Sequence, residues 1–387
     1  MSGLRARRDV GAVFLAKGVR TFSYGYLGIL LPLHLADLGL AATGIGAFVT
    51  LTLAASAALT WAIRAPAERF GARAALIALA LLSAAAAMLL LAARDPWLVI
   101  LAAMLGNVAV GAGETGPFLS IEQVVIARVV GPAQRTAVLS LYNLLGYAAA
   151  AAGAAAVAAG TPRVLFAVFL AGAIVQATAY AALGPVSVAQ RPAATAPTST
   201  PVIRRIAALF ALDSFAGGFV LQSLVAYFLH TRFGLGLEAL GGVFFVAQGL
   251  TAASLLLAPR LARAFGLLPT MVVTHLVSNV LLIAIAVAPA AWLAIALLYA
   301  RQLLSQIDVP TRQAWVMTVV PDHEREAAAT TTTLWRTTAQ AITPMLTGWV
   351  MQSVSLSAPF VLGGGLKIIY DLLLYWTFKE LKPHEPD

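Results

Sequence analysis

The 387 residues include no cysteine, which excludes disulfides, thiol nucleophiles and cysteine metal sites. Charge is scarce too: Asp, Glu, Lys and Arg make up 11% of the chain, where a soluble domain carries about a quarter. No Gly-x-x-x-x-Gly-Lys-Ser/Thr loop is present, so an ATP-driven pump is unsupported; Gly363-Gly364-Gly365 lies in an apolar run without that context. Metalloprotease helices, nucleophile elbows and His/Cys clusters are missing as well. The chain therefore gives no reason to expect an enzyme, a cofactor or a metal centre.

Apolar sequence is abundant. Hydrophobic residues make up 60% of the chain and the mean hydropathy is +0.88. Long apolar runs fall near 12–34, 43–63, 74–93, 97–127, 136–160 and 164–184, then near 206–229, 239–258, 267–288, 291–320, 328–352 and 358–378. Each reaches the roughly 20 residues a helix needs to cross a bilayer. In lipid the backbone must satisfy its own hydrogen bonds, so runs of this length are expected to be helices. The predicted fold is an all-α membrane protein with twelve transmembrane helices in two six-helix bundles.

The net charge of +9 follows this topology. Arg5, Arg7, Arg8, Arg64, Arg69, Arg73, Arg128 and Arg135 in the first half, and Arg204, Arg205, Arg260, Arg263, Arg325 and Lys379 in the second, fall on one predicted side. Only Arg94, Arg163 and Arg232 fall in loops on the other. That asymmetry is the positive-inside pattern, and it accounts for the basic balance better than nucleic-acid binding does. The expected placement is multi-pass in the plasma membrane with both termini cytoplasmic.

The chain also repeats itself. Arg20-Thr21-Phe22-Ser23-Tyr24-Gly25-Tyr26 is echoed 193 residues later by Asp213-Ser214-Phe215-Ala216-Gly217-Gly218-Phe219, with the leading charge reversed. Ala67-Glu68-Arg69-Phe70-Gly71 returns 195 residues on as Ala262-Arg263-Ala264-Phe265-Gly266. Ser120-Ile121-Glu122-Gln123 returns 190 residues on as Pro310-Thr311-Arg312-Gln313. Three echoes in one order imply a duplicated six-helix unit. The domains are then expected at 1–184 and 204–387, joined by a cytoplasmic linker over 185–203 that holds Pro185, Pro192, Pro197 and Pro201.

The segment Arg64-Ala65-Pro66-Ala67-Glu68-Arg69-Phe70-Gly71-Ala72-Arg73 resembles the loop motif of the major facilitator superfamily, Gly-x-x-x-Asp-Arg-x-Gly-Arg-Arg. Glu68, Arg69, Gly71 and Arg73 fit it; Arg64 and Ala72 depart from it. The resemblance implies a carrier whose halves rock about a midplane cavity lined by the first and fourth helix of each half. It also implies a cytoplasmic gate, assigned to Glu68, Arg69, Gly71, Arg73, Glu122, Arg128 and Arg312.

Ionisable residues inside apolar spans are costly and normally face a bundle interior or a water-filled cavity. Arg20, Glu114, Glu122, Asp213, Arg301, Asp308 and Arg312 fall on those same first and fourth helices. The spacing of Arg301, Ser305, Asp308 and Arg312 places them on one side of a single helix. Asp213, Glu114 and Asp308 are the proton-coupling candidates, because a carboxylate in such a setting can load and release a proton. Arg20, Tyr24, Asn107, Gln222, Arg301, Gln306 and Arg336 are the candidates for lining the substrate cavity. Lys367 and Asp371, one turn apart, are expected to neutralise each other on an outer helix. His275, on a helix expected to be peripheral, is not expected to be a ligand.

The expected function is secondary active transport of a small organic solute by alternating access, as proton-coupled efflux. The alternatives are proton-coupled uptake of a polar or zwitterionic metabolite and, in another class, a transporter-like sensor, scaffold or lipid scramblase. The expected partners are the solute, protons and membrane lipids, with no nucleic acid, and the chain is expected to act as a monomer.

Overall fold

A computed structural model describes residues 3–111, 116–185, 201–319 and 325–379. Every regular element among them is helical. The first half holds α1 (Gly3–Asp37), α2 (Ala42–Ala62), α3 (Arg64–Ala92), α4 (Pro96–Leu105), α5 (Pro117–Val129), α6 (Pro132–Ala156) and α7 (Pro162–Ala181). The second holds α8 (Pro201–Gly218), α9 (Gln222–Phe233), α10 (Leu237–Phe265), α11 (Leu267–Ala286), α12 (Ala291–Ser305), α13 (Asp308–Val319), α14 (Arg325–Ser353) and α15 (Ala358–Phe378). Among the described residues, eight helical stretches are long and apolar enough to cross a membrane.

Three of the expected spans are broken. The segment expected at 97–127 is α4 and α5, that at 206–229 is α8 and α9, and that at 291–320 is α12 and α13. Local chemistry explains each interruption. Gly106 is followed by Asn107 with φ 49°, and α5 begins after Gly116 with φ 115°. Gly217-Gly218 ends α8, where two residues of low helix propensity adjoin. Pro310 has no N–H to return to the carbonyl of Gln306, which caps α12. Arg301 therefore lies on α12 while Asp308 and Arg312 lie on α13, and the single helical face expected from their spacing does not exist.

The duplication is written into the backbone. Gly71 inside α3 has φ 84° and ψ 166°, and Gly266 before α11 has φ 86° and ψ 163°. This region is essentially restricted to glycine, so both copies of the Phe-Gly corner need that residue. In each copy a buried serine follows at the same spacing, Ser83 and Ser278 (83 + 195 = 278).

By spatial proximity the described residues form two compact units. One holds most of α1–α7 with residues 234–248, and the other most of α8–α15 with residues 42–47. Each has its own apolar core, around Phe118, Ile126, Tyr142 and Tyr180 in the first and around Phe210, Trp315, Tyr370 and Phe378 in the second. α1 also starts earlier than expected, so Arg20 lies seventeen residues in (20 − 3) rather than eight. At 1.5 Å rise that is about 26 Å from the helix start.

Candidate functional site

Arg20 finds its partner within its own half. Its side chain is fully buried and grips Glu122 of α5 with both terminal nitrogens, Nη2 to Oε2 at 2.6 Å and Nη1 to Oε1 at 3.1 Å. Two hydroxyls complete the carboxylate: Tyr142 donates to Oε2 at 2.5 Å and Tyr180 to Oε1 at 2.6 Å. Tyr180 also accepts from Arg20 at 2.7 Å, and the guanidinium lies 4.5 Å from the centre of the Phe118 ring. A bidentate pair of this kind is strong and directional, and here one cation meets one anion. The loop arginines were expected to latch Glu122. Instead, both carboxylate oxygens are engaged inside the bundle, because the helix carries Glu122 to a fully buried position beside α1.

The second half repeats this arrangement with the signs exchanged. Asp213 of α8 takes the place of Arg20, and Arg312 of α13 that of Glu122. Arg312 Nη1 donates to Asp213 Oδ2 at 3.2 Å and to Asp308 Oδ2 at 2.9 Å, and its guanidinium lies 5.3 Å from the centre of the Phe210 ring. Like Glu122, Arg312 is buried within its bundle and not displayed at a surface latch.

Asp213 has a second cation. Lys367 Nζ reaches its Oδ1 at 2.5 Å and lies 3.4 Å from His275 Nε2. His275 Nδ1 faces Asp371 Oδ1 at 2.7 Å, and Asn279 Nδ2 donates to Asp371 Oδ2 at 3.0 Å. With Asp371 ionised, the Nδ1 proton lies toward Asp371 and Nε2 is left to accept from Lys367. A hydrogen-bonded chain thus runs Asp371–His275–Lys367–Asp213–Arg312–Asp308 across α15, α11, α8 and α13. Lys367 and Asp371 do not neutralise each other on an outer face, since each is buried and turned to another helix. His275 sits in the middle of the network rather than outside it.

The remaining candidates divide among several environments. Tyr24 is buried and donates to the carbonyl of Gly106 at 3.2 Å, bracing the end of α4. Asn107, in left-handed backbone, has no hydrogen-bond partner among the described residues for either amide atom. Arg336 Nε donates to Ser214 Oγ at 3.0 Å. Arg301 Nη1 donates to Gln302 Oε1 at 2.8 Å, and Gln302 Nε2 donates to Thr251 at 3.3 Å. Gln222 is buried at the start of α9, and Gln306 caps α12. Glu68, Arg69, Arg73 and Arg128 are exposed beside the Gly71 corner or at the end of α5. Glu114 lies outside the described residues.

Sequence reasoning passed over Asn279 and did not place His275, Lys367 and Asp371 in this network. One signal was available. His275 and Asn279 are one turn apart on the third helix of the second half, and Lys367 and Asp371 one turn apart on its sixth. At the matching offset the first half has Ala80 (80 + 195 = 275) and Ala84 (84 + 195 = 279). Polar residues that appear in only one copy of a duplicated unit mark what that copy added.

The Major Facilitator Superfamily profile matches residues 13–330. The chain belongs to that superfamily. Membership makes it a multi-pass membrane protein of a transporter family, acting on a small-molecule substrate and not as an enzyme. A Saccharomyces cerevisiae protein described as an uncharacterized membrane protein is 22% identical over 426 residues, covering 96% of this chain and 94% of its own. Among solved structures, the chain is similar to the nucleoside transporter NupG (TM-score 0.73, 14% identity, 96% of this chain and 99% of that one). It is also similar to an auto-inhibited POT family peptide transporter (TM-score 0.74, 11% identity, 98% and 99%) and to a D-xylose-proton symporter (TM-score 0.69, 13% identity, 97% and 98%). At these identities the solved structures speak for the fold alone.

Proposed function

We propose that this protein moves a small organic solute by alternating access, coupled to protons, in the sense of export against inward proton flow. The observation that supports coupling is Asp213, a buried carboxylate shared by two cations on different helices. Loading a proton onto Asp213 would release Lys367 and Arg312 together, and the freed cations would find substitutes in Asp371 and Asp308. A buried acid whose protonation re-pairs groups on three helices is suited to join proton binding to a change of state. Asp308 and Glu114 are the further proton-carrier candidates, and Asp213 is the principal one.

A second reading, proton-coupled uptake of a polar or zwitterionic metabolite, is favoured by the half-buried arginines at 301 and 336. Solute flux in proteoliposomes under an imposed pH gradient tests both, since reversing the gradient reveals the sense of exchange. One proton moving through 100 mV supplies about 2.3 kcal/mol, equivalent to roughly fiftyfold accumulation. Asp213→Asn is expected to reduce that accumulation to about unity while leaving downhill exchange of the solute. Gradient-driven accumulation by Asp213→Asn equal to the wild type would remove Asp213 from the coupling step. Solute binding without flux in the wild-type protein would favour a sensor over a transporter.

A further inference from the structure

Among the described residues, the interior of the second unit holds one more cation than it holds carboxylates. Among the described residues its buried or half-buried cations are Arg301, Arg312, Arg336 and Lys367, and its carboxylates are Asp213, Asp308 and Asp371. All three carboxylates are already engaged: Asp213 by Lys367 and Arg312, Asp308 by Arg312, and Asp371 by His275 and Asn279. Arg301 has no carboxylate within ion-pair distance among the described residues; Asp308, already paired with Arg312, acts on it from farther away. Its described acceptor is the amide oxygen of Gln302, which takes Nη1. Its Nε is shielded from solvent and meets no acceptor among the described residues.

A guanidinium offers a carboxylate two forks, and the Gln302 bond occupies only the Nη1 end. The side edge, formed by Nε and Nη2, is the geometry that receives both oxygens of a carboxylate at once. Gln302 is itself tied to Thr251 of α10, so the group that holds the guanidinium in place is braced from a second helix. Arg301 also lies one turn before the end of α12 at Ser305. Carbonyls at a helix C-terminus carry the equivalent of roughly half a negative charge, which offsets only part of a cation.

We propose that Arg301 is the anchor for a carboxylate on the transported solute, so that the substrate is an organic monoanion or a zwitterion bound by its acidic end. The proposal rests on the transporter reading and holds for either sense of transport. It assigns to Arg301 a role separate from Asp213: one selects the solute and the other couples the proton.

The test uses the purified full-length protein and matched pairs of probes, namely acetate with acetamide, lactate with lactamide and benzoate with benzamide. Binding is read as the concentration-dependent rise of the thermal unfolding midpoint, and flux in proteoliposomes. At least one carboxylate is expected to bind, and its amide to bind at least tenfold more weakly. Arg301→Gln should weaken carboxylate binding at least tenfold, Arg301→Lys should restore part of it, and Asp213→Asn should keep it while losing gradient-driven flux. The midpoint of each variant without probe reports whether it is folded. Equal binding of acid and amide, undiminished binding by folded Arg301→Gln, or no binding by any carboxylate overturns the proposal. The two readings fail separately: flux of the amides as fast as the acids removes the anion site and leaves a transporter, and carboxylate binding without flux does the reverse.

Discussion

In the first half Arg20 and Glu122 form a compact pair completed by two tyrosine hydroxyls, whereas the second half spreads three carboxylates, four cations and a histidine over six helices. Both descend from the same arrangement, an ion pair between the first and fourth helix of a six-helix unit, and both lay the arginine over a phenylalanine ring. The difference lies in what surrounds the pair. Around Glu122 each carboxylate oxygen takes one Arg20 nitrogen and one tyrosine hydroxyl, and Lys17 lies 4.5 Å from the centre of the Tyr142 ring. Around Asp213 two cations compete, and a His-Asp pair stands behind one of them. A duplicated scaffold can keep one copy as a fixed brace and let the other acquire groups that exchange protons and partners.

That contrast is easiest to break at Arg20. Arg20→Met leaves Glu122 buried without its cation and should destabilise the protein by about 3–5 kcal/mol, read from thermal or denaturant unfolding in detergent. Arg20→Met combined with Glu122→Leu should recover more than half of that loss, as expected of a pair whose role is to brace the bundle. If the double variant folds well but no longer transports, the brace reading of the first half fails.

The two glycine corners should respond alike. Gly71→Ala and Gly266→Ala each force a side chain into backbone that strongly disfavours one, at a cost of about 1–3 kcal/mol. Similar losses in unfolding midpoint would show that the duplicated corner carries the same strain in both halves. A cost confined to one copy would show that the matching dihedral angles do not reflect a shared constraint.

The smallest expected effect concerns the added histidine. His275→Gln keeps a hydrogen-bonding side chain but removes the imidazole that joins Asp371 to Lys367, and should lower gradient-driven flux by roughly fivefold, about 1 kcal/mol. Ala80→Ser, at the matching position in the first half, should leave that flux unchanged. Equal flux for the wild type and His275→Gln would place His275 outside the coupling network.

Much of this architecture is legible in the sequence. The scarcity of charge, the length of the apolar runs and the basic asymmetry lead to a multi-pass helical protein. The echoes led to the duplication that Gly71 and Gly266 repeat in their backbone angles. The site was legible only in part. Arg20, Glu122, Asp213, Asp308 and Arg312 could be singled out because an ionisable residue in an apolar run is conspicuous. Their partners could not be assigned, because residues 102 or 99 positions apart pair only through helix packing. Lys367 and Asp371 misled for a related reason. Their four-residue spacing satisfies a local pairing rule, and nothing along the chain shows that each side chain turns instead toward a neighbouring helix.

The sequence by itself determined that the chain is a duplicated helical membrane protein and that its rare internal charges matter, since lipid tolerates neither unpaired backbone nor stray charge. Only the tertiary structure decided which charge meets which. Pairing energy falls off over a few ångströms, and that separation is set by how helices distant in the chain pack together. It turned one odd arginine into half of a sealed brace, and one aspartate into the contested centre of a network.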